Sequence, residues 1–185
     1  MADTPLILLD RDGVINADSD AFIKSPEEFH PLPGSLEAIA RLKRAGWHIW
    51  VCTNQSGVAR GLFDLATLAA IHARLAHLLA AHDATLDGLL YCPHGPDDHC
   101  DCRKPRPGLF EQVAAATGHN LTHVPAVGDS LRDLQAARAV GARPILVRTG
   151  KGERTLAAGA GLDGVAIYPD LAAVADALLK ENAPC

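Results

Sequence analysis

The chain has 185 residues, 48% of them hydrophobic and only 4% aromatic, and a formal charge of −5. That content fills one core, chiefly with Ala, Leu and Val, and excludes a mostly disordered chain. The negative charge excludes a general attraction to nucleic acid or anionic lipid, so an anionic ligand must be gathered by local cations.

Leu6 to Leu9 reads as a buried strand, with Asp10 emerging where it ends. In Asp10-Arg11-Asp12-Gly13 the two carboxylates stand two residues apart, so on extended chain they face one site, and Gly13 lets the backbone turn away. Such a pair is costly to bury as anions. It binds a cation, shares a proton, or divides a reaction into nucleophile and acid/base. Gly34 to Ala45 carries Leu36, Ile39, Ala40 and Leu42 at helical spacing and is closed by Gly46. His48 to Thr53 reads as a second strand, with Cys52 a small core residue. It runs into Thr53-Asn54-Gln55-Ser56-Gly57, whose hydroxyls and amides can donate to phosphate oxygens. Asp64 to about His82 reads as a long helix, with Asp64 as N-cap and Leu65, Leu68, Ile71, Leu75 and Leu78 along its buried face. His72, His77 and His82 stand five apart, form no helical ligand pair, and read as packed or surface residues.

Gly88 to Tyr91 reads as a short strand leading into a cysteine segment. There Cys92, His94, Cys100 and Cys102 form Cys-x-His and Cys-x-Cys pairs around a short turn. Three thiolates and one imidazole make a closed tetrahedral set for Zn²⁺, with His99 as the alternative to His94. A full ligand set argues for a structural metal that stiffens a loop with few apolar residues and fixes the following Arg103 and Lys104. Beyond it, Gly108 to Thr117 reads as a helix and His123 to Val127 as a strand. Leu131 to Val140 is a helix closed by Gly141, and Pro144 to Val147 a strand. Val165 to Tyr168 follows as an edge strand, and Leu171 to Leu179 as the last helix. Asp129 taken alone reads as a cap for the helix after it, with metal binding as the second reading, and Cys185 as a tail residue.

Strands alternating with helices predict an α/β fold with a central parallel sheet flanked by helices, a single domain over 1–185. Ligands of such sheets bind outside the carboxyl ends of the strands. Asp10, Thr53, the 92–104 segment and Asp129 each fall at or just beyond such an end. No stretch reads as a leader or a membrane span, which predicts a cytosolic chain with reduced cysteines. Neither nucleic acid nor membrane is an expected partner, and the expected state is a monomer.

In order, Asp10-x-Asp12-Gly13, Thr53, Lys104 and Gly128-Asp129 resemble the motif set of the haloacid dehalogenase (HAD) superfamily of phosphotransferases. The resemblance runs from Leu6 to about Thr149. It implies the Rossmann-like HAD fold and Mg²⁺-dependent transfer through an aspartyl-phosphate. It implies Asp10 as nucleophile and Mg²⁺ ligand, and Asp12 as acid and then base, its backbone carbonyl also on the metal. Thr53 and Lys104 would hold the phosphoryl oxygens, Asp129 would complete the metal site, and Asp133 would support it from behind.

The Asp10-Arg11-Asp12-Gly13 start, the run Gln55 to Gly61 and the cysteine loop resemble the zinc-bearing, histidinol-phosphatase-like branch, which favours His94 as fourth ligand. That branch implies a small sugar bisphosphate as substrate. Its contacts would be Asp18, Ser19, Asp20, Ala21, Thr53, Asn54, Gln55, Ser56, Arg103, Lys104 and Ser130. Histidinol phosphate is the alternative. The short stretch from His94 to Cys100 resembles the histidinol type, and Gln55 to Gly61 the sugar type. A bisphosphate would make use of Arg60, Arg103, Lys104 and Arg106. No large cap domain interrupts the chain after Gly13 or after Gly57, so the expected site is open, walled by the zinc loop and residues 16–29. A third reading, an inactive zinc-stabilised binding module, sits badly with a full set of motif residues.

Overall fold

The computed structural model describes residues 4–182, so Cys185 lies outside the described residues. Six strands alternate with helices: β1 (Leu6–Leu9), α1 (Ser35–Arg44), β2 (His48–Asn54), α2 (Leu65–Ala80), β3 (Gly88–Cys92), α3 (Gly108–Thr117), β4 (Pro125–Gly128), α4 (Leu131–Ala139), β5 (Arg143–Val147), α5 (Gly152–Ala158), β6 (Ala166–Tyr168) and α6 (Leu171–Glu181). They form one sheet in the order β3-β2-β1-β4-β5-β6. Every pairing is parallel, with Leu8 opposite Trp50 on β2 and Ala126 on β4. From β1 the chain winds outward through β2 to β3, then returns to β4 on the other side and winds outward again. The crevice at this reversal opens between the carboxyl ends of β1 and β4, where Asp10 and Asp129 stand.

The strand pleat divides the core in two. Ile7 and Leu9 join Ile49, Val51, Val127, Ile145 and Val147 beneath α1, α2 and α6. Leu6 and Leu8 join Cys52 and Ala126 beneath α3 and α4. Each Leu or Ile fully buried in these layers contributes about 1.5–3 kcal/mol relative to exposure. Apolar residues on both faces are what an all-parallel sheet covered on both sides requires.

Two readings of the sequence need correction, and one helix has no counterpart in it. Asp64 does cap α2, its side chain accepting from the Thr67 N–H at 2.8 Å, but Leu65 is 51% exposed and Leu78 only half-buried. The buried stripe is Leu68, Ile71, Leu75 and Leu79, one position round the helix. Ser130, not Asp129, is the N-cap of α4, and its N–H donates to the Asp133 carboxylate at 3.0 Å. The helix α5 went unread, because seven residues beginning with glycine offer little apolar period. Among the described residues no helix is long and apolar enough to cross a membrane.

Candidate active site

Asp10 leaves β1 with its backbone N–H still donating to Val127 on β4 at 2.9 Å, so the sheet itself fixes its position. Lys104 Nζ stands 3.0 Å from Asp10 Oδ1 and 2.6 Å from Asp133 Oδ1, and donates to the Cys52 carbonyl at 2.7 Å. The Lys104 backbone is clasped by Asn54, whose Nδ2 donates to its carbonyl and whose Oδ1 accepts its N–H, each at 3.0 Å. Asn54 therefore holds the cation in place as well as lining the cleft. Across the crevice, Asp129 Oδ2 accepts the Lys151 N–H at 2.7 Å. Gly13 adopts φ +82°, and a Cβ there would collide with the Asp129 carboxylate, so only glycine lets the two strand ends approach.

Carboxylate oxygens of Asp10, Asp129 and Asp133 lie within 4.8 Å of one another. The Lys104 ammonium pairs with two of them, Asp10 and Asp133, and leaves Asp129 without a cationic side-chain partner among the described residues. Burial, with Asp133 and Asp12 nearby, pushes Asp10 up to about 6 against the pull of Lys104. Burial, together with Asp10 and Asp133, pushes Asp129 up to about 8. Asp133 is held below its usual value because the ion pair with Lys104 overcomes burial. Lys104 is raised in turn, its two carboxylate partners outweighing its own burial. A divalent cation would relieve the surplus negative charge, and an all-oxygen donor set suits Mg²⁺.

The Asp12 side chain turns away from that cluster. Arg11 Nε and Nη2 donate to its Oδ1 at 3.0 and 2.9 Å, Asn16 Nδ2 to Oδ1 at 2.8 Å, and Gln55 Nε2 to Oδ2 at 2.9 Å. Burial opposes ionisation, but Arg11 and these donors together hold Asp12 below the usual carboxylate range. The Asp12 side chain thus stays out of the carboxylate cluster, whose third member is Asp133. Gln55 Nε2 also donates to Thr53 Oγ1 at 2.9 Å, so its amide braces two site residues, and Ser130 Oγ donates to Asp133 at 2.7 Å.

Asp10, Asp12, Thr53, Gln55, Lys104, Asp129, Ser130 and Asp133 line a cleft of about 270 Å³ together with Asp18, Ser19, Asp20, Asn54, Ser56 and Arg103. Ala21 does not line it. Phe22, at φ 66°, turns the chain so that its own ring and Ile23 face the cleft instead. Arg106 is also outside, its Nη1 donating to the His99 and Cys100 carbonyls. Two wall residues, Arg132 and Lys151, lie outside the contacts the sequence pointed to. Arg132 stands in the first turn of α4 and Lys151 pairs with Asp18 at 2.6 Å, while in the expected 16–29 wall the Phe22 ring lies under the Arg60 guanidinium, its centroid 5.6 Å away. Among the described residues Arg60, Arg103 and Arg132 have no carboxylate partner, and Arg103 is pulled below its usual value by burial and by Arg132. Unpaired guanidiniums on one wall suit an anion.

Cys92, His94, Cys100 and Cys102 converge beside this wall, while His99 stands apart. Cys100 Sγ lies 3.6 Å from both Cys92 Sγ and Cys102 Sγ, and His94 Nδ1 lies 3.5 and 3.3 Å from those same two sulfurs. Those are close to the separations of ligands sharing one tetrahedral ion at ~2.3 Å (sulfur) and ~2.0 Å (nitrogen). The loop is tied to the cleft because Arg103 Nη1 donates to the His94 carbonyl at 3.2 Å and the Gln55 N–H to the Cys92 carbonyl at 2.7 Å.

The Polynucleotide kinase 3 phosphatase family model matches residues 6–133, and the HAD-hydrolase-like model residues 101–174. The D-glycero-beta-D-manno-heptose-1,7-bisphosphate 7-phosphatase of Bordetella bronchiseptica is 57% identical over 176 residues, 95% of this chain and 98% of the relative. The enzyme of the same name from Escherichia coli O6:H1 is 41% identical over 156 residues, 80% of this chain and 81% of the relative. A crystal structure of the B. bronchiseptica D,D-heptose 1.7-bisphosphate phosphatase complexed with magnesium and phosphate superposes with a TM-score of 0.94, covering 96% of this chain and 99% of that one. The corresponding Burkholderia thailandensis structure, 44% identical, gives a TM-score of 0.76 over 95% and 98% of the two chains. On fold, span and identity alike, the chain belongs to the D-glycero-beta-D-manno-heptose-1,7-bisphosphate 7-phosphatase family of HAD phosphatases.

Proposed function

We propose that the chain hydrolyses the C7 phosphate of D-glycero-D-manno-heptose 1,7-bisphosphate through an aspartyl-phosphate on Asp10, supplying heptose 1-phosphate for lipopolysaccharide precursor synthesis. The observation that carries this reading is Asp10 within 3.0 Å of the Lys104 ammonium, at the mouth of the sheet crevice. Asp10 Oδ attacks phosphorus, the bond to the C7 oxygen breaks, and Asp12 gives its proton to that oxygen. Asp12 then takes a proton from the water that attacks the aspartyl-phosphate, which returns Asp10 as a carboxylate with release of inorganic phosphate. The entering phosphate sets negative charge beside Asp12 and favours the protonated form that the first step needs. The Thr53 hydroxyl and Lys104 hold the phosphoryl oxygens as charge shifts between them.

Asp10, Asp129 and the Asp12 carbonyl would hold Mg²⁺, with Asp133 behind them. When bound, Mg²⁺ supplies Lewis-acid charge neutralisation between carboxylate and phosphate. Support comes from the magnesium in the B. bronchiseptica relative and from the surplus of carboxylates here. The Cys92-His94-Cys100-Cys102 set would hold a structural Zn²⁺, consistent with its closed tetrahedral spacing. Thiolate ligands persist in a reducing compartment, which supports a cytoplasmic location.

Three unpaired guanidiniums support a substrate with a second phosphate, and histidinol phosphate has only one. The relatives compared above carry the heptose name, so the histidinol alternative is not favoured. The test is phosphate release from heptose 1,7-bisphosphate and from histidinol phosphate, by this chain and by Asp10→Asn. Efficient release from the first substrate only, abolished by the substitution, is expected. Equal rates for the two proteins would end the reading.

A further inference from the structure

Among the described residues Arg11 is the largest fully buried side chain, at 0% exposure. Its guanidinium is held on three sides. Nε and Nη2 chelate Asp12, its carbon lies 6.0 Å from the centroid of the Phe29 ring, and Nη1 faces His72 Nε2 at 3.1 Å. Among the described residues His72 is the one hydrogen-bond partner of Nη1. Arginine carries no acceptor, so His72 Nε2 must accept and the ring proton sits on Nδ1. That requires a neutral imidazole. Burial and the Arg11 charge, opposed by Asp12, lower His72 to about 4, which keeps the ring neutral at ordinary pH. The ring is steadied by Tyr91 on β3, centroids 5.7 Å apart.

We infer that His72, which touches neither substrate nor metal, is a positioning residue that aims the Arg11 fork and through it the Asp12 carboxylate. The inference rests on the reading of Asp12 as the acid that protonates the leaving oxygen. A buried Nη1 without an acceptor turns to find one, and the fork turns with it. The Asp12 carboxylate then leaves the position from which its proton reaches the C7 oxygen. Asn16 and Gln55 still hold Asp12 near the site, so the loss is partial.

The discriminating readout is the leaving group. An alkoxide such as the sugar C7 oxygen needs a proton as it departs, whereas p-nitrophenolate departs without one. His72→Phe keeps an aromatic ring against Tyr91 and removes the acceptor, His72→Leu removes both, and His72→Gln restores an acceptor. For the first two variants, kcat/KM on heptose 1,7-bisphosphate is expected to fall about 10- to 100-fold. On p-nitrophenyl phosphate it should change less than about threefold, because phosphoryl transfer to Asp10 no longer waits on Asp12. His72→Gln recovers most of the loss, and melting temperatures establish which variants are folded. An equal fall on both substrates in a folded variant, or no fall on either, overturns the inference. Asp10→Asn, assayed alongside, separates the two ideas. If it retains activity the reaction reading fails, and if it is inactive while the His72 variants match the parent, only the positioning role fails.

Discussion

All three Nζ donors of Lys104 are engaged, by Asp10, Asp133 and the Cys52 carbonyl, so one side chain compensates two buried carboxylates. Lys104→Met leaves both uncompensated. Breaking a buried pair from one side costs about 3–5 kcal/mol, to be read as a lowered melting temperature, with phosphatase turnover down about 100-fold or more. The same surplus charge gives the metal-free protein a pH slope. Asp129 and Asp10 have folded values near 8 and 6 against 3.8 unfolded, so their stabilisation is complete below about pH 4 and fades as pH rises through those values. His72 runs oppositely, at about 4 folded against 6.5 unfolded, so its stabilisation is present above pH 6.5 and lost as pH falls toward 4. Between pH 6.5 and 8 the carboxylates dominate. Melts in chelator should therefore show stability falling with pH in that window, and added Mg²⁺, which competes with protons for these oxygens, should flatten or reverse the slope. A slope that is unchanged by Mg²⁺ would contradict the metal site. Below pH 6.5, His72→Gln should lose less stability than the parent, by up to about 3 kcal/mol at pH 4. Sequence reading reached Asp10, Lys104 and Asp129 because each ends a strand or follows a marked loop. It left His72 among packed or surface residues, since nothing in a helical five-residue spacing reveals that one ring meets an arginine 61 positions away.

At the scale of elements, the apolar runs of β1 and β2 and the helical period of α1 and α3 were readable because local pattern and tertiary burial agree there. The stripe on α2 was misread because Leu65 has the right residue type but faces solvent at the first turn. The unread α5 matters to the site. Lys151 at its N-cap pairs with Asp18, Arg154 pairs with Asp20 at 3.1 Å, and Thr155 Oγ1 donates to the Asp129 carbonyl at 2.8 Å. This short helix therefore joins the 18–22 wall to the metal-side carboxylate. Gly13→Ala tests the closeness of the two strand ends, because its Cβ would press on Asp129. Loss of Mg²⁺ affinity by isothermal titration, with the sheet still folded by circular dichroism, is the expected result. Unaltered Mg²⁺ binding would contradict the arrangement.

For the whole molecule, the site follows from topology that no local pattern contains. The reversal between β1 and β4 opens the crevice, and the strand order that makes it was not legible in the alternation of elements. The cysteine loop then adds what the sheet lacks, a rigid wall carrying Arg103 and Lys104. Removing the Zn²⁺ proposed for it, or substituting Cys100→Ser, should lower the melting temperature and raise KM for the bisphosphate, as the guanidinium wall loosens. Equal KM with and without the metal would deny the loop that role.

Covalent attack by Asp10 is tested most directly by rapid acid quench of turnover on heptose 1,7-bisphosphate labelled at the C7 phosphorus. Label should appear on the peptide containing Asp10, release on mild alkali as an acyl phosphate does, and be absent from Asp10→Asn. Full turnover with no label on the chain, or label on another residue, would contradict it.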